Sequence, residues 1–165
     1  MPTTYNTQYN TPRVQVQLPG RQNRLSDGTF RVTPSMTEPV RFFFGNQDGV
    51  PLNLLPFSIQ FVVWLGTPVT SDVLSMGTSE VVLNKKIIVN DPHSGEVEMV
   101  LTEKDTLLIG NNAAGTRMFW SLFMVNEEGQ VFPTQVSSSG SRYGTVHVDL
   151  ASGMPIAELI RNPTA

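Results

Sequence analysis

The residues that could do acid–base or metal chemistry in this chain are few, and their spacing suits it poorly. There are two histidines: His93 in the loop Asp91-Pro92-His93-Ser94-Gly95, and His147 between Val146 and Val148. A zinc site needs several converging ligands, commonly paired at short spacing on one element, and neither histidine has a second ligand so placed. Cysteine is absent, which removes disulfides and thiolate metal sites. Asp91, Glu96, Glu98, Glu103 and Asp105 cluster in sequence, but "NDPHSGEVE" lacks the alternating oxygen ligands and fixed glycine of a calcium loop. These acids read as solvated turn and strand-edge residues, and nothing nominates two of them as an opposed pair for glycoside hydrolysis. "GSRYG" over residues 140–144 places Ser141 one position early for a nucleophile elbow. No glycine-rich loop ends in the lysine that a phosphate cradle requires. Trp64 and Trp120 fall inside the most apolar runs, as core residues do, rather than on exposed sugar-stacking positions. The expectation is a protein that is not an enzyme and uses no cofactor or metal.

Composition points the same way. The chain has 165 residues, enough for one domain with a real core. Charged residues make up 15%, against the usual share of about 25%. Gly, Pro, Ser, Thr, Asn and Gln fill the difference, which is turn chemistry and favours an all-β protein. The net charge of −3 lacks the basic stripe of a nucleic-acid binder. No apolar run approaches the roughly 18 residues of a membrane span. The opening "MPTTYNTQYN" has no basic-then-apolar export pattern. The predicted setting is therefore assembly in a cytoplasm, with neither nucleic acid nor membrane as partner.

The strand signals are regular from residue 28 onward. "TFRVT" (29–33), "PVRFFFG" (39–45), "FSIQFVVWL" (57–65), "EVVL" (80–83), "KKIIVN" (85–90), "EVEMVL" (96–101), "RMFWSLFMVN" (117–126), "QVFPTQV" (130–136) and "TVHVDL" (145–150) all read as strands. In 57–65, Phe57, Ile59, Phe61, Val63 and Leu65 share one face, while Val62 and Trp64 make the other face apolar near its end. With Ser58 and Gln60 starting that second face, the pattern predicts a central strand of a sandwich, wet on one side at its start and covered at its end. Two apolar runs end alike, in Asn46-Gln47-Asp48-Gly49 and Asn126-Glu127-Glu128-Gly129. Asn at the first turn position and Gly at the fourth predict a type I turn closed by a left-handed glycine, so both stretches are expected to be hairpin loops joining antiparallel strands. A third hairpin is expected at 90–95, joining 85–90 to 96–101. "TEKDTLLIG" is expected to form one helical turn capped by Thr102, and "SGMPIAELIRN" a short C-terminal helix.

Residues 1–27 differ from the rest. They hold Arg13, Arg21 and Arg24 against Asp27, a balance of about +2 that leaves about −5 on the remainder of the −3 chain. Within them "RVQVQL" (13–18) alternates, placing Val14, Val16 and Leu18 on one face. With Tyr5 and Tyr9, these residues predict an extended arm that orders against a neighbouring subunit, its arginines meeting acidic surface. The expected organisation is an arm over 1–27, a sandwich over 28–150 and a helical tail over 151–165. The partner-interface residues are Tyr5, Tyr9, Arg13, Val14, Val16, Leu18, Arg21 and Arg24.

One family pattern is present. "DG-x-P-x-(D/N)-L" is matched by Asp48, Gly49, Pro51, Asn53 and Leu54, and "G-x-(V/I)-x-(Y/M)-x-L-T-x-x-D-T" by Gly95, Val97, Met99, Leu101, Thr102, Asp105 and Thr106. With a closing strand up to Val148, residues 38–150 resemble the immunoglobulin-like domain of bacteriophage baseplate upper proteins and tail-fibre attachment modules. The resemblance implies an immunoglobulin-like antiparallel β-sandwich and a structural role in a virion assembled in the host cytoplasm. Its partners would be other virion proteins, and it would form a homo-oligomer within the particle. The arm and the lack of a following fibre predict a subunit tiled on a particle or clamped between other virion proteins. Three alternatives carry a different reading: a capsid decoration (cement) protein, a carbohydrate-binding module using Tyr143, Tyr5 or Tyr9, and a small hydrolase.

Overall fold

The structure, a computed structural model, describes residues 13–17, 28–46, 48–68, 74–75, 81–89, 91–112, 117–137, 140–149 and 160–162. In chain order its elements are β1 (Arg13–Gln17), β2 (Phe30–Val32), β3 (Glu38–Gly45), β4 (Phe57–Leu65), the two-residue strands β5 (Thr67–Pro68) and β6 (Leu74–Ser75), β7 (Val81–Ile87), β8 (Glu96–Leu101), helix α1 (Glu103–Asn111), β9 (Met118–Asn126), β10 (Val131–Pro133) and β11 (Gly144–Val148). Two sheets form a sandwich. One has the order β1-β3-β8; the other has β2-β11-β9-β4-β7, with β10 also pairing to β9. Strands β5 and β6 pair only with each other. All pairs are antiparallel except β2 with β11, which run parallel in the register Phe30↔Val146, Arg31↔His147 and Val32↔Val148.

Strand alternation decides what the sandwich buries. From the first sheet Val40, Phe42 and Phe44 of β3 point inward with Val97, Met99 and Leu101 of β8. From the second come Phe30 and Val32, then Ile59, Phe61 and Val63 of β4, then Trp120, Leu122 and Met124 of β9. Four rings meet at the centre. Trp120 lies 5.3 Å from Phe30, 5.9 Å from Phe61 and 6.3 Å from Phe42, centroid to centroid. Phe42 belongs to one sheet and the other three rings to the opposite one, so this cluster joins the layers. Each such contact adds about 0.5–1.5 kcal/mol beyond burial of area.

The central strand expected over 57–65 is β4, paired on one side with β7 and on the other with β9. Its second apolar face is real: Val62 and Trp64 pack with Phe119 in a separate buried cluster. Both turns form locally, but only Asn126–Gly129 is the expected hairpin loop, joining antiparallel β9 and β10. After Asn46–Gly49 the chain makes one isolated bridge, Gly45 to Pro51, and passes to β4 in the other sheet, because β3 is already flanked by β1 and β8. Gly49 N–H donates to Asn46 O and Gly129 N–H to Asn126 O, both at 3.1 Å. Asn46 Oδ1 accepts from the amides of Asp48 and Val50 at 2.9 and 3.0 Å. Asn126 Oδ1 accepts from Glu128 and Gln130 at 3.1 and 2.8 Å. Gly49 and Gly129 take φ of +78° and +82°, open to glycine without steric cost.

Two further expectations are corrected. Residues 90–95 do not close a hairpin between neighbouring strands, because β7 pairs with β4 and β8 pairs with β3. Residues 91–95 lead into the other sheet, with a bridge between Asp91 and Glu96 and a bond from Leu54 N–H to Pro92 O of 2.7 Å. Alternation in 96–101 reports which face is buried but not which strand lies alongside. The helix is nine residues long rather than one turn. Its capping box closes both ways, Asp105 N–H to Thr102 Oγ1 at 3.2 Å and Thr102 N–H to an Asp105 oxygen at 3.0 Å. Burial of Thr106 and Ile109 then carries it on, and the Thr106 hydroxyl donates to Met36 O at 2.7 Å.

Helix α1 lies against β2, β7 and β8. Lys85 of β7 donates to Asp105 at 2.6 Å, with the two side chains 27% and 19% exposed. Burial pushes the Asp105 carboxyl up, but bonds from Lys85 and Thr102 outweigh it, so the group sits below its ordinary value of 3.8. A lowered folded value stabilises the fold above the unfolded pKa and loses that stabilisation as pH falls through the folded one. Asp105→Asn keeps an acceptor for Thr102 but removes the charge. It is expected to cost about 1 kcal/mol at neutral pH, measured by urea unfolding, and the gap to the native chain should close as pH drops below 3.8. A gap that persists undiminished in acid contradicts this.

Candidate partner interface at the β1–β3 edge

The alternating segment of the arm becomes β1, and its register with β3 is complete over five residues: Arg13↔Gly45, Val14↔Phe44, Gln15↔Phe43, Val16↔Phe42 and Gln17↔Arg41. Val14 and Val16 therefore stand at the positions opposite Phe44 and Phe42, which are 1% and 0% exposed. Two of the three alternating apolar residues, Val14 and Val16, thus share register positions with the core-facing residues of β3. Arg13, Gln15 and Gln17 stand opposite Gly45, Phe43 and Arg41, on the register positions of the outer face.

The hydrogen-bonding direction of β3 can be worked out from one residue. Phe44 N–H donates to Gly95 O at 2.7 Å, and Phe44 O accepts from Leu52 N–H at 2.9 Å, so its main-chain groups serve the β8 side. Main-chain groups alternate sides along a strand. Arg41, Phe43 and Gly45 therefore turn theirs toward β1, and Gln17, Gln15 and Arg13 are the residues that exchange bonds with them. Among the described residues no strand pairs with the far side of β1. The outer face beside this edge is charged: Arg41 reaches Glu98 at 2.9 Å and Glu96 at 3.5 Å. Those are exposed pairs, worth at most about 1 kcal/mol each.

The arm joins the body at a fixed point. Trp120 Nε1 donates to Gly28 O at 2.8 Å inside the core, which anchors the chain where the second sheet begins. Of the other expected interface residues, Tyr5, Tyr9, Leu18, Arg21 and Arg24 lie outside the described residues. So does most of the expected tail; Ile160 and Arg161 are helical, and Arg161 Nη1 meets Glu103 of α1 at 2.5 Å.

No protein-family model and no curated protein sequence matches this chain. Among solved structures, dimeric latent PorU from Porphyromonas gingivalis aligns with 94% of this chain at 16% identity and a TM-score of 0.48, and the chain spans 14% of that protein.

The remaining residues with chemical potential are dispersed. His93 is exposed in its loop. His147 Nε2 lies 3.1 Å from Asp149 Oδ1, which also takes Arg31 at 3.3 Å. That surface group ties the parallel β2–β11 pair together. No group of three or more His, Cys, Asp or Glu that could hold a metal occurs among the described residues. Tyr143, considered for sugar stacking, instead packs edge-on against Phe119 at 5.6 Å. Trp64 Nε1 in the same cluster is buried without a hydrogen-bond partner.

Sequence reading missed two surfaces. The first is the acceptor edge itself, Arg41, Phe43 and Gly45, hidden because Phe42-Phe43-Phe44 shows no alternation. The second is an apolar groove of about 400 Å³ where β4 begins and β7 ends, lined by Leu54, Leu55, Phe57, Ile88 and Pro92, with Lys86 at its side. Leu55 and Ile88 are 66% and 75% exposed there. The available signal was the adjacent pairs Leu54-Leu55 and Ile87-Ile88, since an extended strand can bury only one of two neighbours on a given face.

Proposed function

We infer that this chain is a non-enzymatic structural protein of a bacteriophage virion, a tail, baseplate or fibre-attachment building block. It binds neighbouring subunits through its N-terminal arm and sandwich edges. The observation that carries the reading is β1: a strand from the arm, held at the margin of the sandwich by main-chain pairing. Strand addition of this kind draws affinity from main-chain hydrogen bonds and specificity from alternating side-chain positions. The virion setting rests on the resemblance over residues 38–150.

The sandwich is immunoglobulin-like in this reading. Its order β1-β3-β8 facing β11-β9-β4 supports assignment as strands A-B-E facing G-F-C, with β7 added beside C as in variable-type domains. A buried Trp lies at the centre, although on the F-like β9 rather than the C-like β4.

A chain lacking residues 1–27 is expected to fold, because the aromatic centre and β2 onward are retained. It should be less stable, since Phe42 and Phe44 lose the strand opposite them. Its incorporation into particles should drop about tenfold or more, equivalent to about 1.4 kcal/mol of binding. Quantitative immunoblotting of purified particles measures this. Incorporation equal to that of the full chain would remove the arm from assembly and the reading with it.

A further inference from the structure

We propose that β1 exchanges between copies of this chain, each copy laying Arg13–Gln17 on the Arg41–Gly45 edge of another. This deepens the assembly reading and rests on it, because it names the arm's partner and the acceptor.

Three observations carry it. First, the complementarity is already demonstrated within one chain: five residues pair in register without a bulge. A second copy offers the identical acceptor, with the same alternation of buried Phe42 and Phe44 against Val16 and Val14. Second, the body is complete around β1. The ring cluster, the β4–β9 pair and α1 all form from residues after 27, so a strand supplied by another copy would restore the same sheet. Third, the connection is long enough. Residues 18–27 separate β1 from Gly28, and ten extended residues span about 35 Å. A chain of this length has a radius of gyration of about 15 Å. An arm fixed at Gly28 therefore reaches the edge of a touching neighbour.

The balance between own and neighbouring edge follows from concentration. The two pairings make the same bonds, so the arm's own edge is favoured only by the tether, whose effective concentration is of millimolar order for a short linker. Copies packed side by side present their edges at a comparable concentration. Closed monomers are thus the expected form in dilute solution, and exchanged chains the expected form where copies are crowded.

The lack of native cysteine makes the test clean. Gln15 and Phe43 are a register pair that exchanges main-chain bonds, with Cα atoms about 5.5 Å apart, within disulfide range. Full-length Gln15→Cys and Phe43→Cys chains are mixed, oxidised and run on a non-reducing gel. A covalent heterodimer is expected, its share rising about tenfold for a tenfold rise in concentration while it is the minor species. The Gln15→Cys/Phe43→Cys double variant should close within one chain in dilute solution. Gln17→Cys with Arg41→Cys, the next pair of the register, gives the same readout if Phe43→Cys fails to fold. Closure of the double variant without any heterodimer at high concentration overturns the proposal. Cross-linking of Gln15→Cys to itself alone also overturns it, since β1 would then meet β1. Absence of exchange together with loss of the truncated chain from particles would leave the assembly reading standing and assign the arm to a different neighbour.

Discussion

Trp120→Ala is expected to lower unfolding stability by about 4 kcal/mol, the middle of the range for removing a large buried ring. Three rings lose their common neighbour at once: Phe30, Phe61 and Phe42 stand 5.3, 5.9 and 6.3 Å from it. Two of those rings come from its own sheet and one from the opposite layer, so the cavity opens where the layers join. The Gly28 carbonyl also loses the donor it meets at 2.8 Å, and an unpaired buried acceptor costs about 1–3 kcal/mol by itself. Trp120→Phe separates the two contributions. It refills most of the volume and removes only the donor, so a loss of about 1–2 kcal/mol is expected. Urea midpoints measure both, and at a slope of about 2 kcal/mol per molar the alanine variant should shift by about 2 M. A loss under about 1.5 kcal/mol for Trp120→Ala would show that the ring cluster does not organise the core.

Gly144→Ala should be nearly as damaging, for a steric reason. A Cβ at this position would overlap the Gly28 carbonyl oxygen and come within 2.5 Å of Trp120 Nε1. Neither neighbour can give way, because one is backbone and the other is locked among rings. The methyl group must therefore push β11 away from β9, to which Gly144 and Thr145 pair opposite Trp120 and Phe119, or break the indole–carbonyl bond. Overpacking costs about 1–3 kcal/mol, and loss of the bond raises the expected total to about 3–5 kcal/mol. Thr145→Ala, one residue along and exposed, is the control and should change stability by less than about 0.5 kcal/mol. Equal effects at both positions would refute the steric account.

Legibility in the sequence followed the range of the interactions. The turns at Asn46 and Asn126 were readable because every bond involved lies within five residues. Strand β4 was readable because its double-sided apolar pattern specifies a buried position. The segment 13–18 stood out for its alternation, and its residues 13–17 pair in register with β3. The partner of each strand was less accessible. Nothing local to Phe30-Arg31-Val32 announces a parallel neighbour more than a hundred residues later. Likewise, 85–90 and 96–101 look like two arms of one hairpin although they serve different sheets. The acceptor half of the candidate interface was invisible for a related reason: which side of Phe43 turns its main-chain groups toward β1 depends on where β8 lies.

The parallel β2–β11 pair has a mechanical consequence. A pull applied upstream of Gly28 and downstream of Asp149 drags these two strands along their common axis in opposite directions. Their interstrand bonds, at Phe30–Val32 against Val146–Val148, would be loaded together in shear rather than opened one by one. Stretching single molecules between those points should meet one tall rupture peak near the start of extension, whereas a low, sawtooth-free rise would contradict it. A domain wired this way resists tension along a tether by the direction of its strands, whatever its equilibrium stability.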